Sequence, residues 1–128
     1  MAAIKIQVEK VTQDVEIGSL TYTLDLSDEN IEVQLAFYDK FKDKTDKYEG
    51  VDLATVDSAT RKEILEDRKQ TVKEMLEVLL GEGSFDQVYS EVGRSIVVTS
   101  NVIVQLTDVM KERITQINEN SKAYYTGE

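Results

Sequence analysis

Apolar and polar side chains alternate through the first 26 residues. Ile4, Ile6 and Val8 recur at period two with Lys5 and Gln7 between them, the signature of a half-buried strand. Asp14-Val15-Glu16-Ile17 and Leu20-Thr21-Tyr22-Thr23-Leu24-Asp25-Leu26 then flank a Gly18-Ser19 pair, which reads as a two-residue hairpin turn with glycine first. Pairing Ile17 with Leu20 sets Val15 opposite Tyr22 and Val11 opposite Leu26. All six then share one face, as an antiparallel ladder requires. A lone hairpin is marginal in water, so this face must pack on something.

After Ser27 the period changes to that of a helix. Ser27 is the expected N-cap, and Asp28 and Glu29 favour the positive end of a helix running to about Tyr48. Its apolar stripe is Ile31, Leu35, Tyr38 and Phe41, with Phe37 and Tyr48 at the edge. Glu49-Gly50 ends it, and residues 51–57 form a connector. A second helix begins between Asp57 and Thr60, with Thr60 and Glu63 at capping-box spacing. Ile64, Leu65, Val72, Met75, Leu76 and Leu79 cover about a third of its circumference. Arg68 interrupts that stripe, either as a snorkelling arginine whose stem packs and whose head reaches water, or as one paired with a carboxylate at an interface.

Leu79-Leu80-Gly81-Glu82-Gly83-Ser84 stops the second helix, with Gly81 suited to the positive φ after its end. Ser84 and Gln87 repeat the capping-box spacing and introduce a short helix from about Phe85 to Glu91, ending near Gly93. The last long segment runs from Ser95 to about Asn120. Ile103, Leu106, Met110, Ile114 and Ile117 form a regular stripe in its second half. In its first half Ile96, Val97, Val98, Val102, Ile103, Val104 and Leu106 point in nearly every direction around a helix. The β-branched run favours strand locally, but no turn signal separates it from the periodic half, so helix is expected. A helix apolar all round must be covered all round, so either it is the central helix of the fold or part of it meets another chain. The fold class expected is therefore α+β, mostly helical: an N-terminal hairpin or small antiparallel sheet over about 4–26, then three long helices and one short one. The chain reads as a single domain over 1–128, with a hairpin region (1–26), a helical region (27–120) and a loose tail (121–128).

Composition narrows the chemistry. The chain's 128 residues include no histidine, cysteine, tryptophan or proline. An imidazole acid/base, a thiol nucleophile, a Ser-His-Asp triad and a Cys/His zinc site are excluded. With 25 acidic against 15 basic side chains the net charge is −10, and each quarter of the chain is negative. A nucleic-acid or anionic-membrane partner is disfavoured, because either needs a positive footprint. No apolar run is long enough to span a bilayer. Met1-Ala2-Ala3-Ile4-Lys5 lacks a signal-peptide core, so the cytoplasm is expected.

Three acidic or glycine-rich groups invite a chemical reading and fail it. Glu63 and Asp67 stand four apart on the polar face of a helix, away from any expected pocket. Asp39, Asp43 and Asp46 with Glu49-Gly50 lack the ligand spacing of a calcium loop, and Asp43–Lys47 is better read as an i,i+4 ion pair. Gly81-Glu82-Gly83-Ser84 has neither the length nor the lysine of a phosphate loop. The sequence therefore predicts no catalytic residue, no metal ligand and no cofactor. The candidate contact residues are Ile96, Val97, Val98, Val102, Val104 and Arg68, for a client or a second copy.

Val15-Glu16-Ile17-Gly18-Ser19-Leu20-Thr21-Tyr22, then Leu24-Asp25-Leu26-Ser27-Asp28 and an aromatic-rich charged helix, resembles the start of the tail assembly chaperones of long-tailed phages of Gram-positive bacteria. Val78-Leu79-Leu80-Gly81-Glu82-Gly83-Ser84 is similar to a Phe-Gly-Glu-Gly corner of that family, with Leu80 in the aromatic position. The likeness covers most of residues 13–118. It implies a helix-rich, non-enzymatic protein of the host cytoplasm that binds the tape-measure protein and helps tail-tube subunits gather on it. It also implies a short form that a ribosomal frameshift can lengthen. Two other readings stand beside it: a structural virion component, such as a head–tail connector or tail-completion subunit, and a small acidic regulator of a host protein.

Overall fold

A computed structural model describes the backbone of residues 2–126 and the side chains of residues 2–121. Two antiparallel strands, β1 (Thr12–Ile17) and β2 (Leu20–Asp25), precede four helices. These are α1 (Asp28–Tyr48), α2 (Ser58–Leu80), the short α3 (Ser84–Glu91) and α4 (Ile96–Thr126). The α+β, mostly helical class is as the pattern predicts.

The hairpin register is the expected one. Ile17 faces Leu20, Val15 faces Tyr22, and beyond the strands the Leu26 N–H donates to the Val11 carbonyl at 2.7 Å. Gly18 takes φ +58°, which favours glycine, and a Cβ there would displace the Glu91 carboxylate. The sheet does not, however, reach back to residue 4. Residues 4–8 form neither strand nor helix, and Ile4, Ile6 and Val8 are 87%, 67% and 87% exposed. Their alternation is intact but has no strand beside it, and a strand without a ladder partner is not stable alone.

One face of the hairpin covers a core in which α2 is central. Ile17, Leu24 and Leu26 meet Val72, Met75, Leu76 and Leu79 of α2, Phe85 and Val88 of α3, and Ile103, Leu106 and Met110 of α4. From α1, Phe41 completes it. The expected stripe of α1 faces the core at Ile31, Tyr38 and Phe41, but not at Leu35. Leu35 is 40% exposed, whereas Gln34 is 2% exposed and its Nε2 donates to the Asp25 carbonyl at 3.1 Å. That bond ties α1 to the end of β2. On α2, Leu65 is likewise exposed while Ile64 is buried.

Both expected capping boxes are replaced by other caps. Asp57 caps α2, its carboxylate accepting the Thr60 N–H at 2.8 Å. Before α3 the cap position is Gly83, at φ +84°; Ser84 Oγ donates instead to the Gly81 carbonyl, and Gln87 accepts the Tyr22 hydroxyl. The expected Asp43–Lys47 pair does not form either: Lys47 lies over the Tyr48 ring. The β-branched run at 96–104 is helical, with Ser95 Oγ accepting the Val98 N–H. Within α4, Thr99 and Thr107 are fully buried. Each hydroxyl donates to the carbonyl four residues back, those of Ser95 and Ile103, so neither adds an unpaired polar group to the core. The helix continues to Thr126, past the expected end near Asn120; of the expected loose tail, residues 127–128 and the side chains from 122 onward lie outside the described residues. No helix among the described residues is long and apolar enough to cross a membrane.

Candidate protein-contact site

The six expected contact residues do not form one patch. Arg68, Ile96 and Val97 come together where α2 meets the start of α4. Val102 lies around the helix, in a groove facing β1. Val98 and Val104 are exposed on α4. The helix that the sequence required to be covered all round is covered on one side only: Thr99, Ile103, Leu106 and Met110 are buried, while Val97 is 59% exposed.

Arg68 is half-buried, and among the described residues no carboxylate stands within ion-pair distance of it. The adjacent Asp67 is committed elsewhere. Its carboxylate accepts the Tyr48 hydroxyl and pairs with Lys44 at 3.0 Å, and these two, the tyrosine first, hold it below the usual carboxylate range. The Arg68 side chain is shared by two clefts. The smaller, about 180 Å³, lies between it, Phe41, Val72 and Val97. The larger, about 370 Å³, has Leu53, Leu65, Ile96 and Val97 as apolar lining and Arg68, Lys69 and Arg94 around it, with no acidic side chain in its wall.

Tyr89 organises that cationic rim. Its ring stacks on Phe85 at 5.0 Å between centroids, which anchors it to the core. Lys69 Nζ stands 5.1 Å from the ring centre and Arg94 Cζ 5.0 Å from it, so two cations are positioned by one aromatic ring rather than by acids. Arg94 is also the one non-glycine among the described residues at positive φ, +60°. Its N–H donates to the Tyr89 carbonyl at 2.7 Å, which helps to hold a conformation that costs roughly 1–2 kcal/mol for an L-residue. Arg94 was absent from the expected set. The signal that pointed to it was weak: Gly93-Arg94-Ser95 looks like any loop until the chain brings Tyr89 back beside it.

Chemically the larger cleft offers an apolar floor and unneutralised cations on a protein of net charge −10. It suits a segment that presents aliphatic side chains and carboxylates together. Compared with protein-family models, curated proteins and solved structures, the chain matches none.

Proposed function

We propose that this protein is a non-enzymatic tail assembly chaperone of a long-tailed phage. It works in the host cytoplasm, binding the tape-measure protein while tail-tube subunits assemble around it. The observation that carries this reading is the cation-rimmed apolar cleft beside the uncovered start of α4. A chaperone of an aggregation-prone helical client needs apolar surface that the client can cover, and an exterior that keeps the pair in solution. The cleft supplies the first and the acidic surface the second. A client helix would set its apolar stripe on Val97, Ile96 and Leu65 and its carboxylates toward Arg68, Lys69 and Arg94.

The test is co-expression with the tape-measure protein of the same phage. The wild-type chain should keep that client soluble and co-purify with it. Val97→Glu, at an exposed position, and Arg68→Glu, at a half-buried one, should lose the client while keeping the wild-type circular dichroism. A client that is equally soluble without this chain overturns the reading. So does finding the chain in purified virions at the abundance of a tail part, which would favour the structural-component reading.

A further inference from the structure

The sheet has two strands, so one edge of β1 is open. The ladder fixes which groups face that edge. Val11 is bonded to Leu26, and Val15 and Ile17 pair across with Tyr22 and Leu20, so the backbone groups of Thr12, Asp14 and Glu16 point away from β2. Among the described residues the one partner recorded there is the Gln13 side-chain amide, which donates to the Asp14 carbonyl at 3.0 Å. Beside this edge lies a groove of about 540 Å³, lined on one side by β1 and on the other by Val102, Leu106 and Val109 of α4.

The chain also carries a segment shaped for such an edge. Ile4, Ile6 and Val8 alternate with Lys5 and Gln7, and all are exposed. Set antiparallel to β1 with Ile6 opposite Val15, the segment places Ile4 against Ile17 on the face toward α4, and Lys5 against Glu16 on the outer face. Both faces then match: aliphatic on aliphatic inside, a lysine on a strand whose only charges are Asp14 and Glu16 outside.

The segment cannot reach this place in its own chain along the course the chain takes. That register would need a two-residue turn at Lys10-Val11, which lacks the Gly, Asn or Asp such turns require. Those residues are instead held straight on. Val11 stays in the ladder with Leu26, and Arg113 donates to the Lys10 carbonyl at 3.0 Å and pairs with Glu9 at 3.3 Å. Asn120 donates to the other Glu9 oxygen at 2.6 Å. Residues 2–8 therefore leave the molecule beyond the hairpin, away from the groove.

We infer that residues 4–8 of a second copy of this chain add to the open edge of β1 over the Val102–Val109 groove, in a reciprocal strand exchange that closes a two-fold dimer. The exchange completes a sheet face that one chain leaves unfinished. It stands on the hairpin and α4 alone and does not depend on the function proposed above.

The chain has no cysteine, so engineered thiols report without background. Full-length Ile6→Cys and Val15→Cys variants, one of them isotope-labelled, are mixed and oxidised. The expected product is a mixed disulfide joining one labelled and one unlabelled chain, while Ile6→Cys mixed with Val33→Cys, an exposed site on α1, gives none. In the same chain, Ile6→Cys with Val15→Cys should yield covalent dimers. Sedimentation of the unmodified protein should show a dimer. The Ile4→Asp, Ile6→Asp double variant, altered only at exposed positions, should lose it with unchanged circular dichroism. A monomer at every concentration overturns the inference, as does an intrachain disulfide in the double-cysteine chain, or equal cross-linking to Val33→Cys.

Discussion

The Glu91 carboxylate accepts the backbone N–H of Ser19 at 2.6 Å, joining the end of α3 to the hairpin tip 72 residues away in sequence. That bond holds the Glu91 carboxyl below its usual range. It also occupies the space where a side chain on residue 18 would go. Gly18→Ala should therefore act twice, straining a positive φ by roughly 1–2 kcal/mol and displacing Glu91. The two effects share one contact. In urea titrations Glu91→Ala should lower the midpoint of the wild type but scarcely move that of Gly18→Ala.

Acid should weaken this fold from several points at once. Asp67 is held low by Tyr48 and then Lys44, Glu74 by Lys40 and then Gln70, and Glu91 by Ser19. A carboxyl whose pKa is lower in the folded than in the unfolded chain stabilises the fold above its unfolded pKa. That contribution is lost as pH falls through the folded value. Urea midpoints should thus be level from about pH 6 to 8, where no histidine titrates, and drop below the ordinary carboxylate range. Tyr48→Phe should make the acid drop shallower, because the first cause of the Asp67 shift is gone. On the alkaline side the sign reverses. Tyr48, raised chiefly by its bond to Asp67, contributes fully below the ordinary tyrosine value, and that contribution fades as pH climbs through the raised one.

Gln34 sits in the core with its amide nitrogen used and its Oε1 unpaired among the described residues. Gln34→Glu would bury a carboxyl beside the Asp25 carbonyl, where only the protonated form can donate. A loss of at least about 2 kcal/mol is expected near pH 7, shrinking as the pH is lowered toward 5. Chemical denaturation at both pH values checks it; equal losses would mean that the side chain simply turns out to solvent.

Leu76→Ala and Leu65→Ala separate the buried line of α2 from the apolar stripe written in its sequence. Leu76 is fully buried against β2, α3 and α4 neighbours in the core, and its truncation should cost about 2–5 kcal/mol. Leu65 lies on the same predicted stripe but is exposed at the cleft, so its truncation should cost well under about 1 kcal/mol. The comparison needs only two denaturation curves beside the wild type.

The hairpin register and the four helices were readable because local signals specified them: a Gly-Ser turn, period two, period 3.6, and glycines at the corners. What escaped reading was set across space. On α1, Gln34 is buried with a bond to the end of β2 where apolar periodicity alone favoured Leu35. Thr99 and Thr107 looked polar, and nothing in the stripe announced that back-bonded hydroxyls could be buried. Residues 4–8 carried a true strand pattern, yet a pattern names a face, not a partner. Of the candidate site, the surplus of branched side chains at 96–104 was legible, whereas the Tyr89 ring that gathers Lys69 and Arg94 joins residues from α2, α3 and the following loop.

That ring has an effect at a distance as well. By holding two cations against aromatic carbon instead of against acids, it keeps a small positive pole on a chain whose net charge is −10. An acidic partner would be turned to face this pole before any atoms touch, speeding capture in dilute buffer, and added salt would blunt the approach more than it loosens the finished complex.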